Sequence, residues 1–192
     1  MGYSLGWVAV QSGSADAIYA KLGLSRTGAR EEVPDSPVVG AVLPEGWHLV
    51  VVRRGEHLLR DALLKEVSAG TRAVACFLEE HVMYSASVEW ADGRKIWSVV
   101  HDSEKACGHL AVDGTPPSEL SAIRSRLQAA QDEEDDVDPE VDHLFDIPID
   151  LAKALTGFRH DESLSGAGRQ PFEVLAAHGG ATRPWWKRAL GQ

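Results

Sequence analysis

From Arg72 to Asp102 the spacing of apolar and polar positions fits paired β-strands. Ala73–Leu78 is an unbroken apolar run bounded by Gly70 and by charges, which predicts a buried strand. Val82, Tyr84, Ala86, Val88 and Trp90 then alternate with Met83, Ser85, Ser87 and Glu89, the two-residue period of a half-buried strand. Asp92-Gly93 tolerates positive φ at both positions and predicts a type I′ hairpin. Pairing Ala91 with Arg94 sets Val88 opposite Trp97, Ala86 opposite Val99 and Tyr84 opposite His101. One face of this ribbon is then aromatic and aliphatic. The other carries Ser85, Ser87, Glu89 and Ser98, and Ile96 and Val100 on that face mark where a helix covers part of it.

Before the ribbon, Ser4–Val10 reads as a strand, and Ser12 or Ser14 caps a helix over Ala15–Leu22 that stops at Gly23. Ser25–Pro37 mixes charges, Gly28 and prolines, and reads as a surface loop. Val38–Leu43 and Trp47–Val52 are strands joined by a Pro44-Glu45-Gly46 turn. Leu59, Leu63 and Val67 then form a helical stripe ending at Gly70. This order predicts an α+β fold: an antiparallel sheet of about six strands in βαββαβ-like, ferredoxin-like order, extended by a β-hairpin, with a helical C-terminal part packed on it.

After Asp102 the chain turns irregular, with a brief strand at His109–Val112. Thr115 caps a helix that has Pro116 at its first position and Leu120, Ile123 and Leu127 as its stripe. That helix runs into the carboxylate run Asp132–Asp138, which opposes the helix dipole. A second helix follows, with Pro148 in its first turn, Leu151, Ala154 and Leu155 facing inward and Gly157 closing it. Pro171–Ala177 is a further short element of undetermined type. The expected divisions are a sheet-rich part over 1–114, a helical part over 115–178 on the same core, and a flexible tail over 179–192.

At 192 residues and 44% hydrophobic, the chain can bury a sizeable core without staples. Cys76, in a buried strand, and Cys107 make no disulfide framework, so a reducing cytoplasm is expected. No apolar run is long enough to span a membrane, and the N-terminus lacks a signal-peptide pattern. The net charge of −10 argues against a nucleic-acid partner and is compatible with a basic protein partner.

Candidate chemistry gathers where the predicted ribbon ends. Glu79, Glu80 and His81 form one connection, His101 and Asp102 end the last strand, and the Phe158–Glu162 turn brings His160 and Asp161. Two imidazoles with carboxylates are the groups a divalent metal or an acid–base pair needs. The spacing matches no metal motif, and His101 and Asp102, as strand neighbours, point to opposite faces. Asp142, His143, Asp146 and Asp150 form a second group, for which pairing with Arg159 or Lys153 is the simplest account. Nucleophile motifs and Gly-rich phosphate loops are missing, so no cofactor is expected. Trp47, Trp90 and Trp97, and Trp185-Trp186 in the basic tail, are candidate partner-binding aromatics.

The segments GLSRTG, SASVEWADGRKIWSVVHD and VDHLFDIPIDLAKALTGFRHD resemble stretches of uncharacterised bacterial proteins of similar length. The resemblance implies a bacterial source and carries no activity with it. Three functions remain open. The first is a non-enzymatic cytoplasmic binding protein for a macromolecular partner, of the immunity or antitoxin type. The others are a metal-dependent hydrolase built on His81 and His101, and a small-molecule sensor with a pocket between the sheet and the late helices.

Overall fold

A computed structural model describes residues 2–11, 14–106, 108–134, 141–164 and 168–177. Its strands are β1 (Ser4–Gln11), β2 (Leu24–Glu31), β3 (Val38–Val42), β4 (Trp47–Arg53), β5 (Arg72–Glu79), β6 (Tyr84–Ala91), β7 (Arg94–Asp102), β8 (Leu110–Gly114) and β9 (Phe172–Ala177). The helices are α1 (Ala15–Lys21), α2 (Asp61–Val67), α3 (Glu119–Glu134) and α4 (Asp146–Thr156). The fold is α+β, with the nine strands in a single sheet in the order β2-β9-β3-β4-β1-β5-β6-β7-β8. Neighbouring strands pair antiparallel throughout. At its centre, β3-β4-β1-β5 keeps the expected strand–helix–strand–strand–helix–strand connection, with β2 inserted after α1.

Each face of the sheet has its own core. Val8 and Val10 of β1 meet Ile18 of α1, Leu22 at its C-cap, and Leu64 and Val67 of α2. Trp7 and Ala9, pointing the other way, meet Ile149 and Ala152 of α4 together with Phe158. Farther along this second face, Trp97 and Val99 pack with Leu120 and Leu127 of α3 and Ile147 and Leu151 of α4. The two-residue alternation of β1 is therefore a sorting of side chains between two helical layers.

Local signals explain several elements. Ser14 Oγ accepts the Ala17 N–H at 3.4 Å to cap α1, and Gly23 at φ 64° ends it. Asp92 and Gly93 adopt φ of 49° and 71°, the left-handed pair of a type I′ turn. Gly157, also left-handed, closes α4. In α4 the inward residues include Ile147, Ile149, Leu151 and Ala152, whereas Ala154 is exposed. The helix expected from Pro116 begins at Glu119.

Two sequence expectations are corrected by the sheet. Ser25–Pro37 is not a loop throughout, because Leu24–Glu31 forms β2. Most of its side chains are exposed, so it lacks the alternation that marks a half-buried strand. It is held instead by pairing with β9 and by Arg26, which bonds Asp16 at 2.8 Å and Glu173 at 2.5 Å. The second correction concerns the hairpin register. Ala91 does face Arg94, but Trp90 pairs with Lys95 and Glu89 with Trp97, leaving Ile96 as a bulge. Beyond it Val88 faces Ser98, Ser87 faces Val99, Ser85 faces His101 and Tyr84 faces Asp102.

The bulge moves Trp97, Val99 and His101 onto the face of Ser85, Ser87 and Glu89, all buried under the late helices. Ser85 Oγ donates to the Phe145 carbonyl at 2.6 Å, a contact its small side chain permits. Trp97 Nε1 donates to Glu89 Oε2 at 2.6 Å, while Arg72 bonds the other carboxylate oxygen. A carboxylate buried between two strands thus has a donor for each oxygen, the second supplied because Trp97 comes to its side.

On the opposite face, Gly6 of β1 and Gly55 after β4 touch backbone to backbone, and a Cβ on Gly6 would lie 2.5 Å from the Gly55 carbonyl oxygen. This approach seats the 3₁₀ turn Glu56–Leu59 against the sheet. Gly6→Ala should therefore cost about 2 kcal/mol through overpacking, measured as a lower urea midpoint; an unchanged midpoint would contradict this contact.

Candidate functional site

The residues expected to form one His/carboxylate cluster fall into several groups, with Glu80, His160 and Asp161 remaining neighbours and His101 held elsewhere. His101, with no solvent exposure, has Nδ1 2.9 Å from the His109 carbonyl oxygen and Nε2 2.9 Å from Asp142 Oδ2. Both ring nitrogens are thus within hydrogen-bond reach of an oxygen. Asp142 Oδ1 in turn accepts the N–H groups of Leu144 at 3.1 Å and Phe145 at 3.3 Å. Burial opposes ionisation of Asp142, but its bond to His101, the ring's charge and the two backbone donors outweigh it and hold the carboxyl below its usual range. The result is a lock between β7 and the turn that leads into α4. Its nitrogens are engaged and it meets no solvent, so it offers no acid–base catalyst.

The remaining members divide further. Asp102 pairs with Lys105 at 3.1 Å. Glu79 accepts the His81 N–H at 3.4 Å. Glu80 accepts the Tyr3 N–H at 2.7 Å, and its other oxygen lies 3.9 Å from His160 Nε2. The His160 side chain is 5% exposed, edge-on to Tyr3 and stacked on Trp7, and its desolvation lowers its pKa from the usual histidine value. Asp161 lies 3.8 Å from the other nitrogen of His160 and 2.7 Å from Arg159. Among the described residues no group of three or more His, Cys, Asp or Glu is placed to hold a metal ion.

The second sequence group forms an ion-pair hub. Arg159 reaches Asp146 at 2.8 Å, Asp161 at 2.7 Å and also Asp150, which Arg126 bonds from α3. Its guanidinium ties the turn after α4 back to the first two turns of that helix. Cys76 is fully buried nearby, and burial pushes its thiol well up, the opposite of a reactive thiolate.

The expected aromatic docking surface is corrected by burial. Trp47, Trp90 and Trp97 are 2%, 6% and 1% exposed. Trp47 belongs to the core under α4, with Arg72 5.6 Å above its ring, and Trp90 packs into the core under α1 and α2. Trp185 and Trp186 lie outside the described residues.

A pocket that no motif announced lies on the α1–α2 face. It has a volume of about 280 Å³ and is lined by Leu22, Leu24, Pro37, Val38, Val50, Val52, Arg53, Arg54, His57 and Leu58. The end of α1 and the start of β2 supply Leu22 and Leu24 on either side of Gly23, and the 3₁₀ turn seated by Gly55 supplies His57 and Leu58. Val38 and Val52 are direct cross-strand partners, so their side chains stand together on one face. Arg53 and Arg54 are exposed, and His57 is half-buried. Burial and then the neighbouring Arg60 lower the His57 pKa, which favours a neutral imidazole. A concave apolar site with a few polar groups is the usual form of a small-molecule pocket.

Compared with known protein families, curated proteins and solved structures, the chain shows no significant match to any of them. Function must therefore be argued from the site.

Two outcomes test this assignment of ionisable groups. Asp142→Asn should cost about 2 kcal/mol at neutral pH by leaving a buried ring nitrogen without its charged partner. Because the folded-state pKa of Asp142 is depressed, its contribution is complete above the unfolded value of about 3.9 and is lost as pH falls below it. The melting temperatures of native protein and variant should then converge in acid; a constant gap would contradict the lock. Arg159→Met should cost about 3 kcal/mol by leaving part-buried carboxylates unpaired, and Arg159→Lys should recover only part of that in urea unfolding.

Proposed function

We propose that this protein is a non-enzymatic binding protein that takes a small, largely apolar molecule into the pocket between α1, the start of β2, β3 and β4, and acts as a sensor. One observation carries the reading: side chains from separate elements converge on a bounded apolar cavity, with basic side chains as its polar members. The site lies against the early helices, opposite the face where the late helices pack. His101 is engaged by Asp142, while His160 lies by Glu80 and Asp161, an arrangement that lends a metal-dependent hydrolase no support.

Net charge supports a second reading, in which a basic macromolecular partner docks on the acidic surface in the manner of an immunity or antitoxin protein. The burial of Trp47, Trp90 and Trp97 removes the anchors that reading relied on. In either case we place the protein in a bacterial cytoplasm, with a ferredoxin-like central sheet and without a nucleic-acid partner. The lack of any described helix long and apolar enough to cross a membrane is in keeping with this.

Titration with the uncharged fluorophore N-phenyl-1-naphthylamine tests the pocket reading. Saturable binding near one molecule per chain is expected, and Val38→Phe, which fills the cavity, should weaken it at least tenfold. Binding that is absent, or indifferent to this substitution, would overturn the reading.

A further inference from the structure

Resting on that pocket reading, we propose that the natural ligand is an organic monocarboxylate of about ten heavy atoms, its anionic end bound by Arg54 and Arg53 and its apolar body between Leu24, Val38, Val50 and Leu58.

Charge is the first ground. The chain carries −10, yet the ionisable groups lining this pocket are Arg53, Arg54 and His57, with no carboxylate among the described lining residues. A basic site on an acidic protein is a local exception, and an anion is what it would attract. The partners already present leave room for one. Arg53 meets Asp35 only at 3.7 Å, with both side chains more than half exposed, a pairing worth little in water. Arg54 makes no ion pair among the described residues.

Backbone geometry is the second ground. Arg54 adopts φ of 53°, a left-handed conformation that a bulky side chain rarely takes. Its N–H donates to the Ser4 carbonyl at 2.9 Å, and Gly55 follows it in contact with Gly6. The strained residue is therefore held from both sides. Strain of this kind persists where the surroundings over-determine it, often at binding sites.

Size and group geometry narrow the ligand. At about 30 Å³ per water, a cavity of about 280 Å³ equals roughly nine waters, which suits a buried portion near the size of octanoate. A guanidinium matches a carboxylate through two parallel hydrogen bonds. Arg54 beside a half-engaged Arg53 suits one negative charge better than a phosphate dianion.

Calorimetric titration of the full chain with octanoate, 1-octanol and octyl phosphate at low salt tests both steps. Octanoate should bind one to one, at least tenfold tighter than octanol and tighter than octyl phosphate. Arg54→Gln should abolish the advantage over octanol, and Arg53→Gln should reduce it less. Equal binding of octanoate and octanol, or preference for octyl phosphate, would overturn the carboxylate assignment and leave the pocket reading standing. Binding of none of the three would overturn both.

Discussion

One unpaired residue decides how the sheet is sided. In an antiparallel ribbon a shift of one position carries every following side chain to the other face, and Ile96 provides that shift between the hairpin turn and the rest of β7. Without it, Trp97, Val99 and His101 would stand with Val88 and Trp90 against α2, and Glu89 would be buried without the Trp97 donor. With it, the indole meets the carboxylate, Val99 enters the core under α3 and α4, and His101 meets Asp142. The bulge disrupts the ladder at one position, and the polar bonds and burial it permits offset that cost.

From this siding the two faces acquire different characters. The α3–α4 face is fastened by polar bonds: Ser85 to Phe145, His101 to Asp142, Gln131 of α3 to the Val141 carbonyl, and Arg159 to its carboxylates. Each needs a specific partner and leaves a buried polar group if broken, so this face resists rearrangement. The α1–α2 face is closed mainly by apolar packing and by the Gly6–Gly55 approach, and it is here that a cavity remains between α1, β4 and the 3₁₀ turn. A rigid face backing a simpler, more open one is a sound arrangement for a binding site.

How much of this the sequence disclosed follows from the range of the interactions. Ser14, Gly23 and Asp92-Gly93 act over a few residues, and the elements they bound formed where they predict. β2 is illegible because Ser25–Glu31 carries almost no apolar alternation, and its partner strand lies 147 positions downstream at Thr27 and Val174. The bulge had no glycine or proline to mark it; its indirect trace was Glu89, a charge amid a buried strand in need of a donor. Asp142 reads as part of an acidic group, but its partner His101 lies 41 positions away, and an unbulged register gives that histidine other neighbours. The pocket was illegible for a different reason. Leu22, Leu24, Val38 and Val50 read as core residues whether the space between them is filled or empty, and only Arg53-Arg54 beside Gly55 departs from the ordinary pattern.

The siding of the sheet can be read directly from through-space nuclear Overhauser contacts between β6 and β7. The account predicts cross-strand contacts joining Val88 to Ser98, Ser87 to Val99 and Ser85 to His101, with the Trp97 indole proton near Glu89. Contacts joining Val88 to Trp97 and Ala86 to Val99 would contradict it, because an unbulged ribbon would place the tryptophan and the histidine on the other face.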